Sequence, residues 1–432
     1  MKLNRLRWGL AVVCALLAGT LPATGWAQEK ELKIGYQKHP IQEASIAMFE
    51  KWGKAHGVKI TRVPNAYGVY VEKMTASLTS SSGQYDIIWH NDDWGQLWKK
   101  LVEPTDGIAG MNLVAKEPVD AAFLNDDGKP TVVPMVHTVG TFFYRSDLLK
   151  ASEVPKTWDE LIKTSQRLQK EGKVKWGYVG GMAMNHTWFT MFWAMWSNQC
   201  DIFKPTYARD NAKLAATGWT SELGDPCQRE VVELWWDAMN KYKISPPAMP
   251  SYGRDEANAI FMAGDAAFTV ADSTLYGLFS DPAKSKVAGK IAMAPQPMGP
   301  RRKRPFAWND IWGWAIPKNI SAERKALAKE CLAAMLADSA GQIEMWKETG
   351  GPPPNISLWK QLDASDPVFR QLKHAVFDQD TAAHGAYYFP QWPAVHKAYS
   401  DAVIAAVTGP REQIGETLKA GAQKVHDAAV AQ

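Results

Sequence analysis

The 432-residue chain is poor in cysteine, with four in all, and no two of them form a Cys-x-x-Cys pair. That absence excludes the usual redox dithiol and the zinc-ribbon spacings. No His-Glu-x-x-His, Gly-x-Ser-x-Gly or phosphate-binding P-loop occurs, and no two of the nine histidines stand at i and i+4. The metalloprotease, hydrolase and nucleotide-hydrolase chemistries that carry those motifs therefore lack support. Nothing beyond residue 27 approaches the roughly 18 uninterrupted apolar residues of a membrane helix. Charge of one sign is lacking too. The formal net charge is +4, but Lys2, Arg5 and Arg7 supply three of the 49 basic residues within the first 27 positions, which hold no acid. The remainder carries 46 basic against 45 acidic residues, a balance that suggests neither nucleic acid nor a membrane surface as partner. The one basic cluster, Arg301 to Arg304 between Pro300 and Pro305, reads as a solvated loop.

What is present begins with an export signal. A basic start precedes an apolar stretch from Leu10 to Leu21, and Gly25-Trp26-Ala27 places small residues at −3 and −1, so cleavage is expected after Ala27. Cys14 lies inside the apolar stretch without the flanking residues of a lipobox. The remaining 405 residues suit two domains rather than one small core. Cys200 and Cys227 flank a polar insertion and, in an oxidising compartment, are expected to pair; Cys331 sits on the stripe Leu327, Leu332, Met335 and reads as a buried helix position. No metal site and no cofactor are expected.

Strand and helix signals alternate from the mature start. Leu32 to Tyr36 has period 2, and Ala44, Met48, Trp52 and Ala55 follow at helical spacing with Gly57 as the stop. Val58 to Thr61, a helix through Met74 and Leu78, and Asp86 to Trp89 complete a doubly wound α/β start with a parallel sheet. Asn125 to Gly128 is a turn, Thr131 to Tyr144 an extended run, and Thr157 with Glu160 has capping-box spacing. Asp225-Pro226 opens another helix. No long linker separates the α/β halves.

Four segments resemble the extracellular family-1 solute-binding proteins, the maltose-, trehalose- and glycerol-3-phosphate-binding components of ABC importers. They are Tyr144-Arg-Ser-Asp147, Pro155-Lys-Thr157-Trp158-Asp159-Glu160-Leu161, Phe261-Met-Ala-Gly264-Asp-Ala-Ala-Phe268 and Asp281 through Lys290. The resemblance spans nearly the whole mature chain. It implies an α/β, two-lobed periplasmic binding protein fold with strand crossovers between lobes and a ligand cleft at the hinge. By that pattern residues 1–27 are the signal peptide, 28–137 with 312–366 form lobe one, and 138–311 with 367–432 form lobe two. It further implies a monomer, not an enzyme, that captures a small carbohydrate or polyol and hands it to an inner-membrane ABC permease complex.

Ligands in open α/β sheets sit beyond the carboxyl ends of strands. The loops there offer Tyr36 and His39; His90, Asp92, Asp93 and Trp94; His137; Trp188 after Asn185 and His186; Asp272; Trp308, Asn309 and Asp310; and Trp392 after the aromatic run from Tyr387. Aromatics mixed with short carboxylates, amides and imidazoles suit a sugar, whose C–H face packs on indole while its hydroxyls seek planar partners. Register with the maltose-binding pattern implies that Asp92 or Asp93 takes a hydroxyl and that Trp188 and Trp392 stack, whereas bulky Trp308 favours a smaller ligand than an oligosaccharide. Two other readings remain open: a secreted glycan-active enzyme, and a receptor for a phosphorylated polyol or a metal ion. The first needs carboxylates facing one another across a bond, for which the neighbours Asp92 and Asp93 are poorly placed.

Overall fold

A computed structural model describes residues 30–184, 186–204, 220–382 and 390–431. The export signal, Asn185 and the run 383–389 lie outside the described residues.

The first half of the fold follows the alternation in the sequence. Strand β1 (Lys30–Gln37) leads to helix α1 (Pro40–His56), strand β2 (Val58–Asn65), helix α2 (Tyr67–Thr79) and strand β3 (Ile87–Asn91). His39 caps α1, its ring nitrogen accepting the Ile41 N–H at 3.4 Å, and Pro40 fits the first turn because its missing N–H is not needed there. Gly57 ends α1 in the left-handed region at φ 66°, where a side chain would be strained. Asn91, rather than Asp92, caps the short 3₁₀ turn Asp92–Trp94 that follows β3.

After the short helices Gly95–Trp98 and Lys116–Ala122 comes the long strand β4 (Val133–Arg145), buried at all thirteen positions. Helix α3 (Trp158–Lys170), strand β5 (Trp176–Tyr178), helix α4 (Met191–Ser197), helix α5 (Pro226–Asn240), helix α6 (Arg254–Met262), strand β6 (Ala266–Asp272) and strand β7 (Ile291–Ala294) follow. Thr157 accepts the Glu160 N–H at 3.3 Å, while the Glu160 carboxylate accepts from Lys156 instead of Thr157, so the capping box closes one residue early. Strand β8 (Phe306–Ala315), helix α7 (Ala322–Ala337), the further helices Ser339–Thr349, Trp359–Ser365 and Pro367–Leu372, strand β9 (Asp380–Ala382) and helices α8 (Trp392–Thr408) and α9 (Ile414–Val430) complete the fold.

The two lobes share one nine-stranded mixed sheet in the order β2-β1-β3-β8-β4-β6-β5, with β9 on β8 and β7 on β4. Its centre is the antiparallel pair β4–β8. At one end β8 pairs with β3, setting Trp312 opposite Asn91; at the other, β4 pairs with β6, setting Gly140 opposite Asp272. Between them Asp310 faces Thr138 and Asn309 faces Val139. Both halves thus hang on two continuous strands. Cys200 and Cys227 are disulfide-bonded, with Cα atoms 6.0 Å apart, and Cys331 is free and fully buried on α7.

Candidate functional site

Directly paired residues of a sheet point to the same face, and neighbours along a strand to opposite faces. The pairings above therefore place Asn91, Thr138, Asp272, Asp310 and Trp312 on one face, joined by Trp308 at the strand crossing. All six line a single cavity of about 580 Å³, counted to its mouth. Trp308 reaches its place only because residue 140 is glycine: a Cβ there would lie 2.1 Å from the nearest indole carbon.

The loops add the rest of the lining. Gln37, Asp92 and Asp93 come from the ends of β1 and β3, Tyr67 from the start of α2, His186, Trp188 and Phe189 from the turn before α4, and Arg254 from the start of α6. Trp188 packs against Trp308 and Trp392 with centroids 6.5 and 6.1 Å apart. Tyr67 and His186 meet at 6.1 Å across the cleft. The Trp392 indole donates to the Asp93 carboxylate at 2.9 Å.

Burial sets the charge states. It pushes the Asp93 carboxyl up to about 7, against the opposing effect of the Trp392 N–H, and the Asp272 carboxyl up to about 6, against the opposing charge of Arg254. Burial first, then the Arg254 charge, pushes His186 down to about 4, so its ring is neutral at pH 7. Arg254 is the one permanently charged cation in the lining among the described residues, and its ion pair is with neighbouring Asp255 at 3.3 Å.

Of the residues the sequence put forward, Asp92, Asp93, Trp188, Asp272, Trp308 and Asp310 line the cavity. The others are placed elsewhere for specific reasons. His90, His137 and Asn309 fall on the opposite face of their strands. His90 is stacked on Trp98 at 5.4 Å and meets Phe123 edge-on, while His137 bonds Asn309 at 3.0 Å and meets Trp359 edge-on. The Tyr36 hydroxyl is drawn to Glu43 at 2.7 Å. His39 serves α1 as its cap and stands edge-on behind Trp312 at 5.6 Å. Trp94 is enclosed by Tyr70, Trp89 and Trp98. Trp392 is 1% exposed and acts behind the lining, through Asp93. Trp312, Tyr67, Phe189 and Arg254 were not foreseen. Trp312 was legible, being two and four residues beyond Asp310 and Trp308 on a period-2 strand; Arg254 follows Gly253 at a helix start, which carries no comparable signal.

Among the described residues, no group of three or more His, Cys, Asp or Glu side chains could hold a metal ion, and no helix is long and apolar enough to cross a membrane.

Residues 38–342 match the family model described as bacterial extracellular solute-binding protein. A "Probable ABC transporter-binding protein" of Deinococcus radiodurans is 23% identical over 368 residues, covering 83% of this chain and 84% of the relative. Among solved structures, maltose-bound MalE3 of T. maritima superposes with a TM-score of 0.75 at 19% identity, covering 91% of this chain and 98% of that one. An Agrobacterium radiobacter solute-binding protein in complex with ribitol gives 0.72 at 18% identity, covering 92% and 98%.

Proposed function

The chain belongs to the bacterial extracellular solute-binding proteins and is the substrate-binding component of an ABC transporter; from that premise we propose that it captures a small carbohydrate or polyol in the cavity between its lobes. The observation that carries this reading is the lining itself. Indole faces of Trp188, Trp308 and Trp312 suit the apolar side of a sugar. Asn91, Asp92, Asp93, Thr138, Asp272 and Asp310 surround them with short, stiff hydrogen-bonding groups. Similar proteins solved with maltose and with ribitol support the ligand class.

In this reading the export signal is removed after Ala27, the mature protein works in the periplasm as a monomer, and it passes ligand to an inner-membrane permease complex. Lobe one is 28–137 with 312–366, lobe two is 138–311 with 367–432, and closure shifts a pre-existing open–closed equilibrium by differential binding. The protein performs no chemistry on what it holds. Calorimetric titration with a panel of pentoses, hexoses, disaccharides and their alditols tests the proposal. Saturable binding of a panel member, recovered unchanged by chromatography, is the expected result. Turnover of the bound compound, or saturable binding of phosphate esters or zinc alone, would overturn it.

A further inference from the structure

Shape and aromatic faces explain a sugar in general, but the cavity's charge asks for something narrower. Four carboxylates line it, those of Asp92, Asp93, Asp272 and Asp310, against the single permanent cation Arg254 among the described residues. Asp272 is 6% exposed, and its side chain makes no capping bond to the turn that it precedes. No ion pair joins it to Arg254, whose ion pair is with Asp255. A second, independent sign of a missing ligand stands beside it. The Thr138 hydroxyl, in the same lining and 1% exposed, has no hydrogen-bond partner among the described residues. Buried polar groups are normally paired, so the Thr138 hydroxyl points to a partner that arrives from outside, and the Asp272 carboxylate lines the same cavity. The walls fit the same partner: an ammonium is attracted to indole and phenol faces, and Trp188, Trp308, Trp312 and Tyr67 all line the space.

We propose that the ligand is a hydroxylated amine, an amino sugar or aminated polyol, whose ammonium is held at Asp272 while Thr138 and the remaining lining take its hydroxyls. This rests on the carbohydrate reading and narrows it. Desolvated carboxylates disfavour their own ionised form, a cost that burial imposes on Asp93 and Asp272 here. An entering cation relieves it, whereas an anionic sugar would worsen it.

Calorimetry at pH 7.5 on the full mature chain tests the inference with matched probes. D-glucosamine, D-galactosamine and 1-amino-1-deoxy-D-glucitol are compared with D-glucose, D-galactose and D-glucitol, and putrescine serves as an amine without hydroxyls. We expect an amine to bind about tenfold or more tightly than its hydroxyl parent, as a charged hydrogen bond implies. In Asp272→Asn, with fold checked by near-UV circular dichroism, the amine-to-parent affinity ratio should fall to about one, whatever the change in the parent's own affinity, and a ratio kept at the wild-type value would overturn the assignment to Asp272. Should Asp272→Asn not fold, the wild-type preference decides the matter alone. A neutral parent that equals or beats its amine sinks the charge inference and leaves the carbohydrate reading standing. Putrescine binding as tightly as any amino sugar does the reverse. No saturable binding across both series counts against both.

Discussion

Trp392→Phe isolates the tie across the cleft. Phenylalanine keeps an aromatic face toward His396, on which the Trp392 ring is stacked at 5.1 Å, and toward Trp188. It deletes the indole N–H that reaches Asp93, at 2.9 Å. Hydrogen bonds to a charged group contribute about 1.5–3 kcal/mol. By the lobe boundaries proposed above this bond exists only when the cleft is shut, so its loss should move the open–closed ratio about 10- to 150-fold toward open. The effect should depend on pH in a defined direction. Above about 7 the Asp93 carboxyl is ionised and the bond is charge-assisted. At pH 5 the carboxyl is protonated, the bond is between neutral groups, and the mutation should matter less. Small-angle scattering on ligand-free protein at pH 8 and pH 5 reads this out. The variant should show a larger radius of gyration than wild type at pH 8 and a smaller excess at pH 5. Indistinguishable curves at pH 8 would refute the idea that this bond holds the cleft.

Three further outcomes follow from the packing and the buried charges. Gly140→Ala would force its methyl into the Trp308 ring, so the ring must leave the cavity wall; we expect a loss of about 1–3 kcal/mol in urea titration together with weakened ligand binding, and normal values of both would contradict the geometry. Trp235, packed at 1% exposure against Tyr178 and Trp193, is not part of the lining, so Trp235→Ala should cost about 3–5 kcal/mol of stability and, if folded, leave affinity intact. The histidines His39, His90, His137, His186 and His396 are all pushed down by burial and are held neutral in the folded state, whereas Asp93, Asp201 and Asp272 are pushed up to between about 6 and 7. The unfolded chain binds more protons at the histidines and fewer at the carboxylates. The five should outweigh the three, so melting temperature should climb from pH 4 to about 6.5 and level off near 7, where the unfolded histidines and the folded carboxylates finish titrating together. A flat or falling profile below 6.5 would show that the carboxylates dominate.

The alternating strands and helices up to β3 were legible because their signals are local: period-2 runs, helical spacing, and the stop at Gly57. The disulfide was legible too, since an oxidised compartment leaves two flanking cysteines few alternatives. The site was legible only as a set of loops. Which residue of each loop faces inward depends on strand register, and the parity of β4 and β8 is fixed by pairing partners far away in sequence. That is why Thr138 lines the cavity and His137 does not, and why Trp308, Asp310 and Trp312 line it while Asn309 turns back to His137. The role of Trp392 was hidden for another reason. It touches the site through Asp93, 299 positions earlier, a relation with no trace in local pattern.

The register that joins β8 to β3 also decides when the chain can finish folding. Asn91 pairs with Trp312, 221 positions later (312 less 91), and β8 is the strand between β3 and β4. Until β8 has been synthesised, the edge of β3 is unpaired and the first lobe lacks the strand that closes its sheet. Contacts this distant in sequence form slowly, because the loop entropy is lost before the pairing repays it. A polypeptide wired in this way stays threadable until roughly its last quarter is being made. For a protein exported as proposed above, that delay keeps the chain open to a translocation pore, and it is written into strand order.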